Sequence, residues 1–125
     1  MEQTVATPKN SILKLFQKPK VMIGVVHCMP LPGAPRYDGM SMQAICDRAL
    51  FDAEAYLAGG LDGLIIENHG DVPFVRPDAF GPETAAAMAV ITDRVRQRFD
   101  TVVGVNILAN AVIQALAVAK AGNAH

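Results

Sequence analysis

Four polar residues stand where apolar runs stop. His27 follows the run Val21 to Val26, Glu67 and Asn68 follow Leu64-Ile65-Ile66, and Asn106 closes Val102-Val-Gly-Val105. A histidine changes charge near neutral pH, so His27 can serve as general acid, general base or metal ligand. Glu67 can take a proton or orient a ligand hydroxyl. Asn68 and Asn106 each offer an amide that both donates and accepts hydrogen bonds to a polar ligand. Asparagine at a strand end also satisfies loop backbone groups, and that role is equally open to both. His27 and Glu67 together point to proton transfer on a small substrate, with the two asparagines binding it.

Further groups lie close in sequence. His69 and Asp71 follow Glu67 and suggest a divalent ion, but two-residue spacing on a loop is no metal signature, and no metal or cofactor is assigned. Arg36 and Arg76, one in each long loop, can clamp a phosphate or carboxylate by paired contacts, although solvated arginines are ordinary in loops. Asp71 is grouped with them as a ligand-binding residue. Gly81-Pro-Glu-Thr84 places free backbone N–H groups at a helix start, which can seat an anion or serve as plain capping. Cys28 adjoins His27, yet neighbouring strand residues point to opposite faces, so no Cys–His nucleophile is inferred.

The elements that must position these residues are legible. The apolar runs show no alternation and read as strands covered on both faces. They span Val21 to His27, Leu61 to Asn68 and Thr101 to Leu108 and start about forty residues apart. Between them lie amphipathic helical patterns. Ser41 to Ala58 has Ser41 as N-cap, an Ile45/Ala49/Ala53/Leu57 stripe and a Gly59-Gly60 stop. The next starts at Pro82 and carries Ala87, Ile91, Val95 and Phe99. A third, Ala111 to Ala121 with Asn110 as cap, is apolar nearly all round and needs cover on more than one side. Near the N-terminus, residues 1–19 form a separate segment in which Ser11 to Phe16 can make a short helix, a lid or a lysine-flanked membrane contact.

The fold class is therefore α/β, about three βα units on a parallel sheet. The first strand leads into Pro30, Pro32, Gly33 and Pro35 instead of the glycine-rich turn of a dinucleotide fold. That favours a partial TIM (β/α)8-like barrel, whose site lies at the strand carboxyl ends. The long loops sit at that end, and the opposite loops are short.

The chain has 125 residues, with 51% hydrophobic and 18% charged residues and a net charge of -1. Average domains carry roughly 25% charged residues. There is no basic surplus to suggest nucleic acid. Two cysteines without zinc spacing read as reduced thiols of a cytoplasmic protein. No apolar run reaches the ~20 residues that span a bilayer.

Several motifs in order resemble the BtpA family, which includes the SgcQ-like proteins. They are Gly24-Val-Val-His-Cys-Met-Pro-Leu-Pro-Gly33, Gly60-Leu-Asp-Gly-Leu-Ile-Ile-Glu-Asn68 with Gly70-Asp-Val-Pro-Phe74, Gly81-Pro-Glu-Thr84 and Gly104-Val-Asn-Ile-Leu108. The resemblance covers residues 20–125. It implies a fold similar to phosphate-binding TIM barrels and a role in photosystem I biogenesis at the membrane periphery. Members beside sugar-uptake genes imply the alternative, an enzyme acting on a small phosphorylated or sugar-like substrate. Because a closed barrel takes ~250 residues, residues 20–125 are expected to be its N-terminal part. The chain is then either a truncated product inactive alone, or one that self-associates through open strand edges.

Overall fold

Three parallel strands of five residues each carry the molecule: β1 (Ile23–His27), β2 (Gly63–Glu67) and β3 (Val102–Asn106). They lie in the order β1-β2-β3. The computed structural model describes residues 11–125. The helices are α1 (Ser11–Phe16), α2 (Met42–Ala58), α3 (Pro82–Arg98) and α4 (Val112–Ala121), with a 3-10 turn at Pro77–Ala79. This is an α/β fold of alternating strands and helices, consistent with a partial barrel-like βα arrangement.

Local chemistry sets the helix ends. The Ser41 hydroxyl accepts from the Ala44 N–H at 3.1 Å, satisfying one of the free donors of the first turn of α2. Gly60, with φ of +92°, turns the chain out of α2, a conformation that costs glycine nothing. Pro82 opens α3 behind an N-cap at Gly81. Asn110 does not cap α4. Its φ is +58°, and the N-cap is Ala111, which makes no side-chain bond. Asparagine tolerates the left-handed region, and here it serves the turn.

The core lies between the sheet and one layer of helices. Val26, Leu64, Ile66 and Val103 are buried under Ile45, Ala49, Ala53, Met88, Ile91 and Val95. Val25, Ile65 and Gly104, which point the other way, are only half-buried. The strands were expected to be covered on both faces. Among the described residues the helices α2 and α3 cover one face, so burial alternates along β1. The other face is the one a barrel turns inward.

The two sheet edges are partly occupied. The Tyr56 hydroxyl donates to the Val25 carbonyl at 3.0 Å on the β1 side. On the β3 side the His125 N–H donates to the Val103 carbonyl at 2.8 Å, and the Val103 N–H donates to His125 Nδ1 at 3.2 Å. Helix α4 leaves Val112, Ile113 and Leu116 exposed by 65%, 81% and 65%, the uncovered side its composition predicts. The Phe16 ring of α1 packs where a Gly63 side chain would be. The Asp62 carboxylate then ties the following segment down, accepting from Lys18 and from the Met22 N–H.

Candidate functional site

Register decides which polar residues meet. His27, Glu67 and Asn106 are direct partners across the sheet, and strand alternation turns all three to the open face. The Asn106 amide donates to Glu67 Oε1 at 2.8 Å. His27 Nε2 stands 3.3 Å from Glu67 Oε2, an ion pair when the imidazole is protonated. The Glu67 side chain is 14% exposed and His27 52%. A half-sheltered carboxylate thus holds an accessible imidazole at the carboxyl ends of the strands. This arrangement can pass a proton to and from a ligand lying on the open face.

The loop after β2 adds a contact that sequence reasoning missed. The His69 ring stacks on His27, with centroids 4.3 Å apart and planes at 17°. Phe74 meets His69 edge-on. The sequence carried no signal for this stack, because it depends on how the loop folds back. His69 therefore packs on the imidazole. Among the described residues no group of His, Cys, Asp and Glu has the arrangement to hold a metal ion.

Asn68 does not join the row. It was expected to converge with His27, Glu67 and Asn106, but it lies one residue past Glu67, points to the opposite face and is fully buried. Its Oδ1 accepts from the Leu108 N–H at 2.7 Å. Its amide donates to the Leu108 carbonyl and to Asp71 Oδ2, each at 3.2 Å. Asp71 Oδ1 in turn accepts from the Leu31 N–H at 2.9 Å. This pair staples the loops after β1, β2 and β3 together. Burial pushes the Asp71 carboxyl above its usual range, while the bonds from Leu31 and Asn68 pull it back. Gly70 belongs to the same junction, since a side chain there would strike the backbone of Cys28 and Pro30.

The remaining candidates lie apart from the row. Arg36 is exposed and makes no polar side-chain contact among the described residues. Arg76 is exposed and, among the described residues, reaches only Asp78, at 3.9 Å. Neither is brought to His27. Cys28 is buried, and desolvation first, then the nearby Asp71 charge, pushes its thiol up to about 12, which makes it inert. The helix start at Gly81 is not an open anion seat. A methyl group on Gly81 would fall 2.3 Å from both Glu83 carboxylate oxygens, so a negative group stands beside it, although it caps none of the first-turn N–H groups.

A three-stranded parallel sheet alternating with helices, with a polar row at its strand carboxyl ends, defines an α/β protein consistent with a partial barrel-like βα fold. Comparison with known proteins narrows this class. The BtpA family model matches residues 18–125, and the chain belongs to the BtpA family. An uncharacterized protein of Archaeoglobus fulgidus is 48% identical over 84% of this chain and 41% of its own length. The Photosystem I biogenesis protein BtpA of Synechocystis is 39% identical over 87% of this chain and 37% of its own. An uncharacterized mitochondrial protein of Caenorhabditis elegans is 36% identical over 86% and 40%. The chain thus spans about two fifths of the length of these curated relatives. No solved structure matches it significantly.

Proposed function

We propose that this chain carries part of a small-molecule site in which His27 transfers a proton and Glu67 holds its ring in place. The carrying observation is the row His27–Glu67–Asn106 on three adjacent strands. The substrate is a small polar molecule, phosphorylated or sugar-like, lying on the open face. Asn106 supplies a donor beside it, and Arg36 or Arg76 reaches its charged end once a loop closes. Asn68 and Asp71 act by holding the loops. The test is an NMR titration with ribose 5-phosphate and with ribose. Binding should move the His27 and Asn106 signals, and His27→Ala and Glu67→Ala should each abolish it while the protein stays folded. Unchanged binding in both variants would sink the reading.

A second reading is favoured by the identity to the Synechocystis protein. Here the chain acts in assembly of a membrane complex such as photosystem I, from the cytoplasm and at the membrane surface. Among the described residues no helix is long and apolar enough to cross a membrane. The exposed apolar residues of α4 would then meet a protein or membrane partner, or a second copy of this chain beside the edge of β3. Relatives in archaea and a nematode, organisms without photosystem I, make that role a property of some members at most. Gene deletion with measurement of photosystem I content tests it; a host lacking photosystem I, or unaltered content, removes it. Solution mass tests self-association, and a monomer rules it out.

A further inference from the structure

A second cavity, of about 110 Å³, lies between the loops after β1 and β2 and the start of α3; its lining excludes His27, Glu67 and Asn106. A water's share of liquid volume is ~30 Å³, so the space holds more than one water. Pro73, Val75 and Phe80 form an apolar wall. Against it stand three polar features. Thr84 lines the cavity, is 6% exposed, and its hydroxyl makes no hydrogen bond among the described residues. Thr92 holds the sole fully enclosed side-chain oxygen without a partner among them, so the Thr84 hydroxyl is not fully enclosed. The exposed Glu83 carboxylate also makes no hydrogen bond among the described residues. It sits in a slot that exists because Gly33 and Gly81 lack side chains, since a methyl on either would fall 2.3 Å from it. Lastly, the first turn of α3 has no side-chain cap, which leaves backbone N–H donors there.

We propose that this cavity binds a hydroxylated segment of a neutral small molecule, a polyol or sugar-like ligand. The wall demands it. Glu83 accepts only, the helix N–H groups donate only, and Thr84 does both. A hydroxyl answers all three, because it donates and accepts. A phosphate or carboxylate meets the Glu83 and Asp71 carboxylates, both of which line the cavity. An ammonium group supplies donors alone and leaves the helix donors unmatched. The apolar wall suits the C–H face of such a ligand. The site stands independently of the proton-transfer row and uses none of its residues.

The test is titration of the isotope-labelled 125-residue chain with erythritol, followed by amide NMR. Saturable shifts at Gly33, Gly81 and Thr84, with the His27 and Asn106 signals unmoved, are expected. Butane-1,4-diol, which lacks the two inner hydroxyls, should bind more weakly. Thr84→Val removes an unpaired hydroxyl at constant volume, so it should fold normally and weaken erythritol about fivefold, the equivalent of one ordinary hydrogen bond. Thr84→Ser should restore binding. Absence of saturable shifts, equal affinity in Thr84→Val, or stronger shifts at the same amides from inorganic phosphate or ethylammonium would each overturn the proposal. Failure of ribose 5-phosphate at His27 would leave it standing.

Discussion

Replacing Asn68 by alanine separates a loop staple from a ligand contact. The side chain is fully buried. Truncation removes the bond accepted from the Leu108 N–H and the two donated to the Leu108 carbonyl and Asp71. At ~1 kcal/mol net per bond, the loss is about 3 kcal/mol, with no ligand present. In urea, with m near ~2 kcal/mol/M, the midpoint should fall by about 1.5 M. Hydrogen exchange should speed up at the Leu31 and Leu108 amides. Asn68→Asp sharpens the test. It keeps the volume and the acceptor for the Leu108 N–H, but it turns lone pairs toward the Leu108 carbonyl and the Asp71 carboxylate. Like charges raise both carboxyl pKa values in the fold. Stability of that variant should therefore be best below the ordinary carboxyl range and fall as pH rises through the raised values. A midpoint within about 0.3 M of wild type for Asn68→Ala, equivalent to ~0.5 kcal/mol, would refute the staple. So would a flat pH difference between Asn68→Asp and wild type.

Other consequences follow from single contacts. Thr92 buries a hydroxyl with no partner, so Thr92→Val should raise stability by up to ~1 kcal/mol in thermal or urea melts. The Cys28 thiol, held near 12 by burial, should resist a thiol-labelling reagent at pH 8 until the protein unfolds, so labelling rates should track the unfolding equilibrium. Asp62 is held below the ordinary carboxylate range, first by the Lys18 hydrogen bond and then by the Met22 N–H. Its contribution is present above the unfolded value and lost as pH falls through the folded one. Lys18→Met should move its NMR titration midpoint upward, leaving the Met22 bond to hold part of the shift.

The strands and the helices were legible because each rests on a local pattern. Apolar runs ending in His27, Glu67 and Asn106 define register almost unaided. The covered face was overread. An unalternating apolar run shows that a strand can be buried twice, not that both covers are present among the described residues. Asn110 was misjudged because a capping residue and a left-handed turn residue share the same chemistry. The error at Asn68 is more instructive. The alternation that excluded Cys28 from His27's face applies equally to Asn68 beside Glu67, and it would have placed Asn68 among the helices. Its bond to Asp71 is local, three residues on, while its bonds to the Leu108 backbone were out of reach of any pattern, since they join loops about forty residues apart. The His69 stack was hidden for the same reason.

Adjacent residues Glu67 and Asn68 thus divide two tasks by the face each one takes. Glu67 meets Asn106 and His27 on the open side, where water can replace a lost partner. Asn68 meets backbone on the closed side, where nothing can. Glu67→Gln retains a carbonyl oxygen for the Asn106 amide and loses the charge and the acceptor facing His27. Its stability should stay within ~0.5 kcal/mol of wild type, as for surface substitutions away from buried networks. Asn68→Ala should cost about six times that limit. Ligand binding at His27 should reverse the order, with Glu67→Gln the more damaging in whatever fraction of each variant remains folded. If Glu67→Gln unfolds the protein as readily as Asn68→Ala does, the row is a structural tie and the proton-transfer reading loses its geometry.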